Sequence, residues 1–179
     1  MMQVDEVTQK LNLAMQERDQ AQQSAARVRG ALSGQEAMLA DAHEALAARA
    51  ADDDTASAHL AAAARARVKL GDEDGAARLL RAALARTPGH SYAVALLEEI
   101  LRSRGEAEEV VALLRQAAAA QQGARAAETS LLLAGAAAEA AGDVPLAART
   151  YEEAADRDPV AVAPLYALAH LAERSGDVA

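Results

Sequence analysis

The 179-residue chain carries a net charge of −9, is 52% hydrophobic but only 2% aromatic, and contains no Cys, Phe or Trp. No disulfide, thiolate zinc site or Cys nucleophile is available to it. With a pI near 4.9 and no cluster of Lys and Arg, it lacks the basic face that nucleic acid or an anionic membrane requires. Alanine dominates the apolar fraction, Leu, Glu, Gln and Arg supply most of the rest, and β-branched residues are scattered. That composition predicts an all-α protein. An alanine core buries little area per side chain, so the helices must approach closely. MMQVDEVTQK at the N-terminus has no apolar core of a secretory signal, and no stretch reaches the apolar length of a membrane span. The expectation is a cytoplasmic location without direct membrane insertion.

In chain order, apolar residues first recur at heptad spacing: Val4, Val7, Leu11, Ala14, Ala21, Ala25, Val28, Leu32, Leu39, Ala42 and Leu46. Arg18, Gln35 and Arg49 interrupt this seam. Gly30 and Gly34 weaken a helix, and Ser33 with Glu36 forms a capping box, so the pattern predicts one helix over 4–30 and another over 34–51. DDDT (52–55) then ends one helix and caps the next. Segment 34–51 fits a helix capping the array that follows. For 4–29 two readings stand: a coiled coil that self-associates, or part of the same cap.

From residue 57 the chain repeats. LGDEDGAARLLRAALARTPGH (70–90) aligns with AGDVPLAARTYEEAADRDPVA (141–161), matching Gly71 with Gly142, Asp72 with Asp143, Ala76 with Ala147, Leu80 with Tyr151, Ala83 with Ala154 and Pro88 with Pro159. RGEAEEVVALLRQAAAAQQG (104–123) keeps the frame through Gly105, Val110, Leu114 and Ala117. Each unit reads as a helix, a Gly turn, a second helix and a stop. The Gly supplies a left-handed C′ residue and the following Asp caps the next helix. A further unit starts at Val162 and reaches its own turn at Gly176-Asp177, and the absent second helix suggests a fragment of a longer array with an apolar face uncovered.

With its period of about 34 residues, the pattern resembles the tetratricopeptide repeat family, with units at 57–90, 91–124 and 128–161 and a partial one at 162–179. The large apolar positions of the family pattern are Leu60, Val94, Leu131 and Leu165, followed by Ala63, Leu97, Ala134 and Leu168, and the small positions are Ala64, Gly135 and Ala169. Three departures stand out: Glu98 replaces a small residue, residues 125–127 separate two units, and Arg67 replaces an aromatic. The resemblance implies an α-solenoid of antiparallel helix pairs, preceded here by the helical segment 1–56. Small residues would mark where helices touch, and enlarging them would overpack the contact by about 1–3 kcal/mol.

Other motifs have simpler explanations. His43-Glu44 does not complete a zinc-protease motif, and His43, His59, His90 and His170 have no ligand spacing. GALSG (30–34) places Ser33 one position away from a nucleophile elbow and follows no strand. GDEDG and DDD lack calcium-loop alternation and read as turns and caps. Glu108-Glu109 and Glu152-Glu153 read as solvated helix faces. With no nucleophile, metal or cofactor constellation, an enzyme is the least supported of three function classes, and no cofactor is expected.

The family resemblance further implies a concave groove that holds an extended or helical partner segment. Its positions fall on Ala58, Ala61, Arg65, Val68 and Lys69; on Tyr92, Ala95, Glu99 and Arg102; on Thr129, Leu132, Ala136 and Glu139; and on Tyr166, His170, Glu173 and Arg174. Ala61 and Arg65 stand where chaperone-tail binders of the family carry their carboxylate clamp, so that ligand is not implied. Tyr92, Arg65, Arg102 and Tyr166 are the candidate anchors, Tyr and Arg being the side chains that most often dominate interfaces. Two function classes lead: a scaffold that binds a protein or peptide, and an assembly subunit that forms a homo-oligomer through the N-terminal helix (4–29) and the exposed face of the C-terminal repeat.

Overall fold

A computed structural model describes the backbone of residues 2–175 and the side chains of residues 15–174. Among the described residues there are eight helices and no strands: α1 (Met2–Arg49), α2 (Asp53–Lys69), α3 (Glu73–Arg86), α4 (Ser91–Ser103), α5 (Ala107–Ala120), α6 (Ala124–Ala140), α7 (Val144–Arg157) and α8 (Ala163–Ser175). Each helix packs on the next in sequence, and α2 also touches α4. The turn signal of the last unit, Gly176-Asp177, lies outside the described residues.

Three turns have one construction. Gly71, Gly105 and Gly142 take φ of +77°, +72° and +81°, values that favour glycine. At the first, Gly71 N–H donates to Val68 O (2.9 Å) and Asp72 N–H to Arg67 O (3.0 Å), closing the end of α2 as a Schellman motif. The same pair of bonds forms at Gly105 and at Gly142. The next residue then opens the following helix. Asp72 Oδ1 accepts from Gly75 N–H (2.9 Å) and Asp143 Oδ1 from Leu146 N–H (3.0 Å), whereas Glu106 makes no side-chain cap bond. Two adjacent residues thus end one helix and start its antiparallel partner.

The core is built from alanine and leucine. Leu80, Leu101, Leu114 and Leu131 are fully buried, and Ala64, Ala76, Ala83, Ala134, Ala147 and Ala154 fill the close approaches. Helices α6 and α7 approach closely at Gly135, where an added Cβ would overlap Cε1 and Cδ1 of Tyr151. Tyr151 occupies the position that Leu80 and Leu114 fill in the other units, and its larger ring needs the missing methyl. Burial, followed by the bond from Tyr151 Oη to Glu139 Oε2 (3.1 Å), pushes the phenol up to about 12. On the α3–α5–α7 side, Arg81 reaches Glu109 (2.6 Å) and Arg115 reaches Glu153 (2.8 Å), stitching successive pairs together.

Several sequence expectations change. The break at 30–34 does not occur: α1 runs without interruption from Met2 to Arg49. Gly30 and Gly34 have nothing within 4 Å of an added Cβ, so each costs helix propensity but no packing. Residues 125–127 form the first turn of α6 instead of a separate linker. Glu98 sits half-buried at its small-residue position because Arg102 Nε donates to it across one helical turn (2.8 Å). On α8, Leu165 and Ala169 are exposed, although their counterparts in α4 and α6 are covered or half-covered.

Each carboxylate of DDD (52–54) has a partner within the fold. Asp52 accepts from Thr55 N–H (2.7 Å) and from its hydroxyl (2.9 Å), and these bonds hold its carboxyl below the usual carboxylate range. Asp53 meets Arg86 (3.2 Å) and Asp54 accepts from Thr87 Oγ1 (3.0 Å), tying the start of α2 to the end of α3. Ser57, buried below them, donates to Ala83 O at 2.9 Å.

Candidate functional site

The C-terminal third of α1 lies antiparallel on α2 and turns an open end of the array into a walled groove. Ala40 and Ala47 are buried in this contact. Ion pairs clamp it on both edges. Lys69 Nζ donates to Glu36 Oε1 (2.6 Å) on one side, and Arg67 reaches Asp41 (3.0 Å) and Glu44 (2.9 Å) on the other. Arg67 also approaches Asp72 (3.8 Å), and its guanidinium pKa is raised first by the Glu44 bond. The departure from the family aromatic at residue 67 is thereby explained: the side chain holds a helix that an ordinary repeat lacks. Between the clamps, His43 Nδ1 and His59 Nδ1 meet at 3.1 Å. One ring must donate and the other accept, so the pair requires at least one neutral imidazole.

On the Glu36–Lys69 edge, α1, α2 and the start of α4 enclose a groove of about 480 Å³. Its floor is Ala58, Ala61, Ala62 and Ala66, and its rim carries Leu39, His43, Arg65, Lys69, His90 and Tyr92. Arg65 has no ion-pair or hydrogen-bond partner among the described residues. Glu36 Oε2 is buried in the wall without a partner, while its other oxygen holds Lys69. His90 Nδ1 accepts from Ala93 N–H (3.2 Å) and so caps α4 while lining the groove.

The candidate residues divide into groups. Arg65, Lys69 and Tyr92 come together here with Ala58 and Ala61. Arg102 lies elsewhere, lining a second hollow of about 470 Å³ with Val110, Ala137 and Ala140. Glu139 and Arg174 bond to each other at 2.5 Å, and Glu139 also holds the Tyr151 hydroxyl, so this pair links α6, α7 and α8. Thr129 is exposed but folds its hydroxyl onto Arg125 O (2.8 Å). Leu132 is half-buried against the core, whereas Ala95, Glu99, Ala136, Tyr166, His170 and Glu173 are exposed along their helices and Val68 is half-buried. The α1 wall, with Glu36, Leu39 and His43, was missed by sequence reading because that segment stands outside the repeat frame. The one available signal was the fit of 34–51 to a helix capping the array.

Among the described residues, no group of three or more His, Asp or Glu is arranged to hold a metal ion, and no helix is long and apolar enough to cross a membrane.

Helix pairing, turn construction and packing define an all-α, tetratricopeptide-like solenoid of antiparallel helix pairs. No family model matches the chain, and no curated protein matches it. Among solved structures, a mutant of MamA is similar at 20% identity, covering 79% of this chain and 88% of that one with a TM-score of 0.43.

Proposed function

We propose that the chain is a protein–protein interaction scaffold whose concave side holds a segment of a partner protein, seated first in the groove between α1, α2 and α4. The observation that carries this reading is the groove's composition: an alanine floor, open to small apolar side chains, beneath the unpaired guanidinium of Arg65 and the exposed ring of Tyr92. Such a surface suits a helical or extended segment with small apolar residues and a carboxylate opposite Arg65. Arg102, Thr129, Leu132, Ala136, Tyr166, His170 and Arg174 would extend the contact along the array. The test is parallel capture from the source cell extract on the wild-type chain and on an Arg65→Glu/Tyr92→Ala chain of equal helicity. A protein retained only by the wild type supports the groove. Equal retention by both rejects it.

A second reading is favoured by a separate observation. Every described side chain from residue 15 to 35 is exposed, on a helix about 72 Å long at 1.5 Å per residue. Such a helix suits self-association. Light scattering on the chain with and without residues 1–33 tests it, and a monomer mass for both rejects it.

A further inference from the structure

The seam and the docking face of α1 are different faces of one helix. The residues turned towards α2 are Glu36, Ala37, Ala40, His43, Glu44 and Ala47, all buried or half-buried. The heptad positions beside them stay open, with Leu39 at 45% and Leu46 at 48% exposure, continuing Val28 at 60% and Leu32 at 55%. Capping the array and pairing with another helix are therefore compatible roles for α1. Gly30 and Gly34 fall at heptad positions f and c, on the side away from the seam.

We propose that α1 pairs antiparallel with α1 of a second copy of this chain, about a two-fold axis between Ala25 and Val28. The proposal rests on the self-association reading and gives it a register. In that register Ala25 faces Val28 of the second copy, Ala21 faces Leu32, and Arg18 faces Gln35. Most layers thus join one large and one small side chain, the combination that fills a helix–helix interface evenly. Arg18 and Gln35, two of the three polar interruptions, meet each other, so the Gln35 amide oxygen accepts from the Arg18 guanidinium in both symmetry-related layers. A parallel pair would stack Arg18 on Arg18 and Gln35 on Gln35, and would leave two consecutive all-alanine layers at Ala21 and Ala25. Slipping the antiparallel pair by one heptad would set Arg18 against Val28 or Ala42. The seam thus specifies orientation as well as pairing.

The chain contains no cysteine, so introduced thiols report alone. An equal mixture of Ala21→Cys and Leu32→Cys chains should oxidise to a disulfide-linked heterodimer at least tenfold faster than Ala21→Cys alone. The two Ala21 positions of an antiparallel pair lie about 16 Å apart along the axis, beyond disulfide reach. Light scattering should give twice 18.5 kDa for the wild type. Val28→Asp should return the mass to that of a monomer while leaving array helicity unchanged. A monomeric wild type overturns the self-association reading and this register together. A dimer in which Ala21→Cys links to itself, or links to Leu32→Cys no faster, overturns the register and leaves self-association standing.

Discussion

Replacing Gly135 by Ala tests the packing logic of the array at the close contact between α6 and α7. An alanine inside a helix is normally worth about 1 kcal/mol over glycine. Here the new methyl would overlap Cε1 and Cδ1 of a ring that is only 3% exposed. That overlap calls for the upper part of the usual overpacking cost of about 1–3 kcal/mol. The net expectation is a loss of about 1–2 kcal/mol. Tyr151→Leu alone should lose about 1–3 kcal/mol, through the cavity and the vacated partner of Glu139. Combining the two recreates the Ala64/Leu80 pair of the first unit, so the double variant should be more stable than the sum of the single losses by at least about 1 kcal/mol. Helical arrays need not unfold as one unit, so the readout is amide hydrogen exchange in α6 and α7 alongside urea unfolding. If Gly135→Ala stabilises the protein equally with Tyr or Leu at position 151, the close-contact argument is refuted.

Other expectations follow from the same contacts. Glu106→Asp should add about 0.5–1 kcal/mol, because this turn alone of the three lacks a cap bond, while Asp72→Ala or Asp143→Ala should cost about 1 kcal/mol; thermal unfolding of the three variants checks both signs. Gly30→Ala and Gly34→Ala should each raise α1 stability by about 1 kcal/mol, measured by exchange within residues 15–35. Arg67→Ala should weaken docking of residues 36–50 by about 1 kcal/mol, an effect that shrinks at high salt. The Tyr151 phenol, raised from 10.0 to about 12, stabilises the fold fully below pH 10, and that contribution is lost as the pH climbs through about 12. Ultraviolet titration should show one late phenol, absent in Tyr151→Phe and earlier in Glu139→Gln.

The turns were readable because glycine at C′ and aspartate at the N-cap solve a local problem with local residues, and they recur at a fixed distance. The size match of Gly135 to Tyr151 was half readable: the small residue announced close contact, but its partner came only from the fold. Continuity of α1 through Gly30 and Gly34 was not readable, since two modest propensity penalties do not outweigh the favourable residues on either side. Arg67 looked like a defect in a repeat until Asp41 and Glu44 appeared beside it. His43 and His59, sixteen residues apart, have no helical spacing in common. They meet only because α1 turns back onto α2. The groove was legible on its α2 and α4 sides, where family positions mark it, and hidden on its α1 side, where no repeat frame reaches.

The most direct measurement is the hydrogen-exchange footprint of a captured partner on the full chain. Partner binding in the groove should slow exchange in residues 36–43, 58–69 and 90–95, and this protection should disappear with Arg65→Glu. Protection confined to α3, α5 and α7 would place the partner on the opposite side of the array and contradict the account.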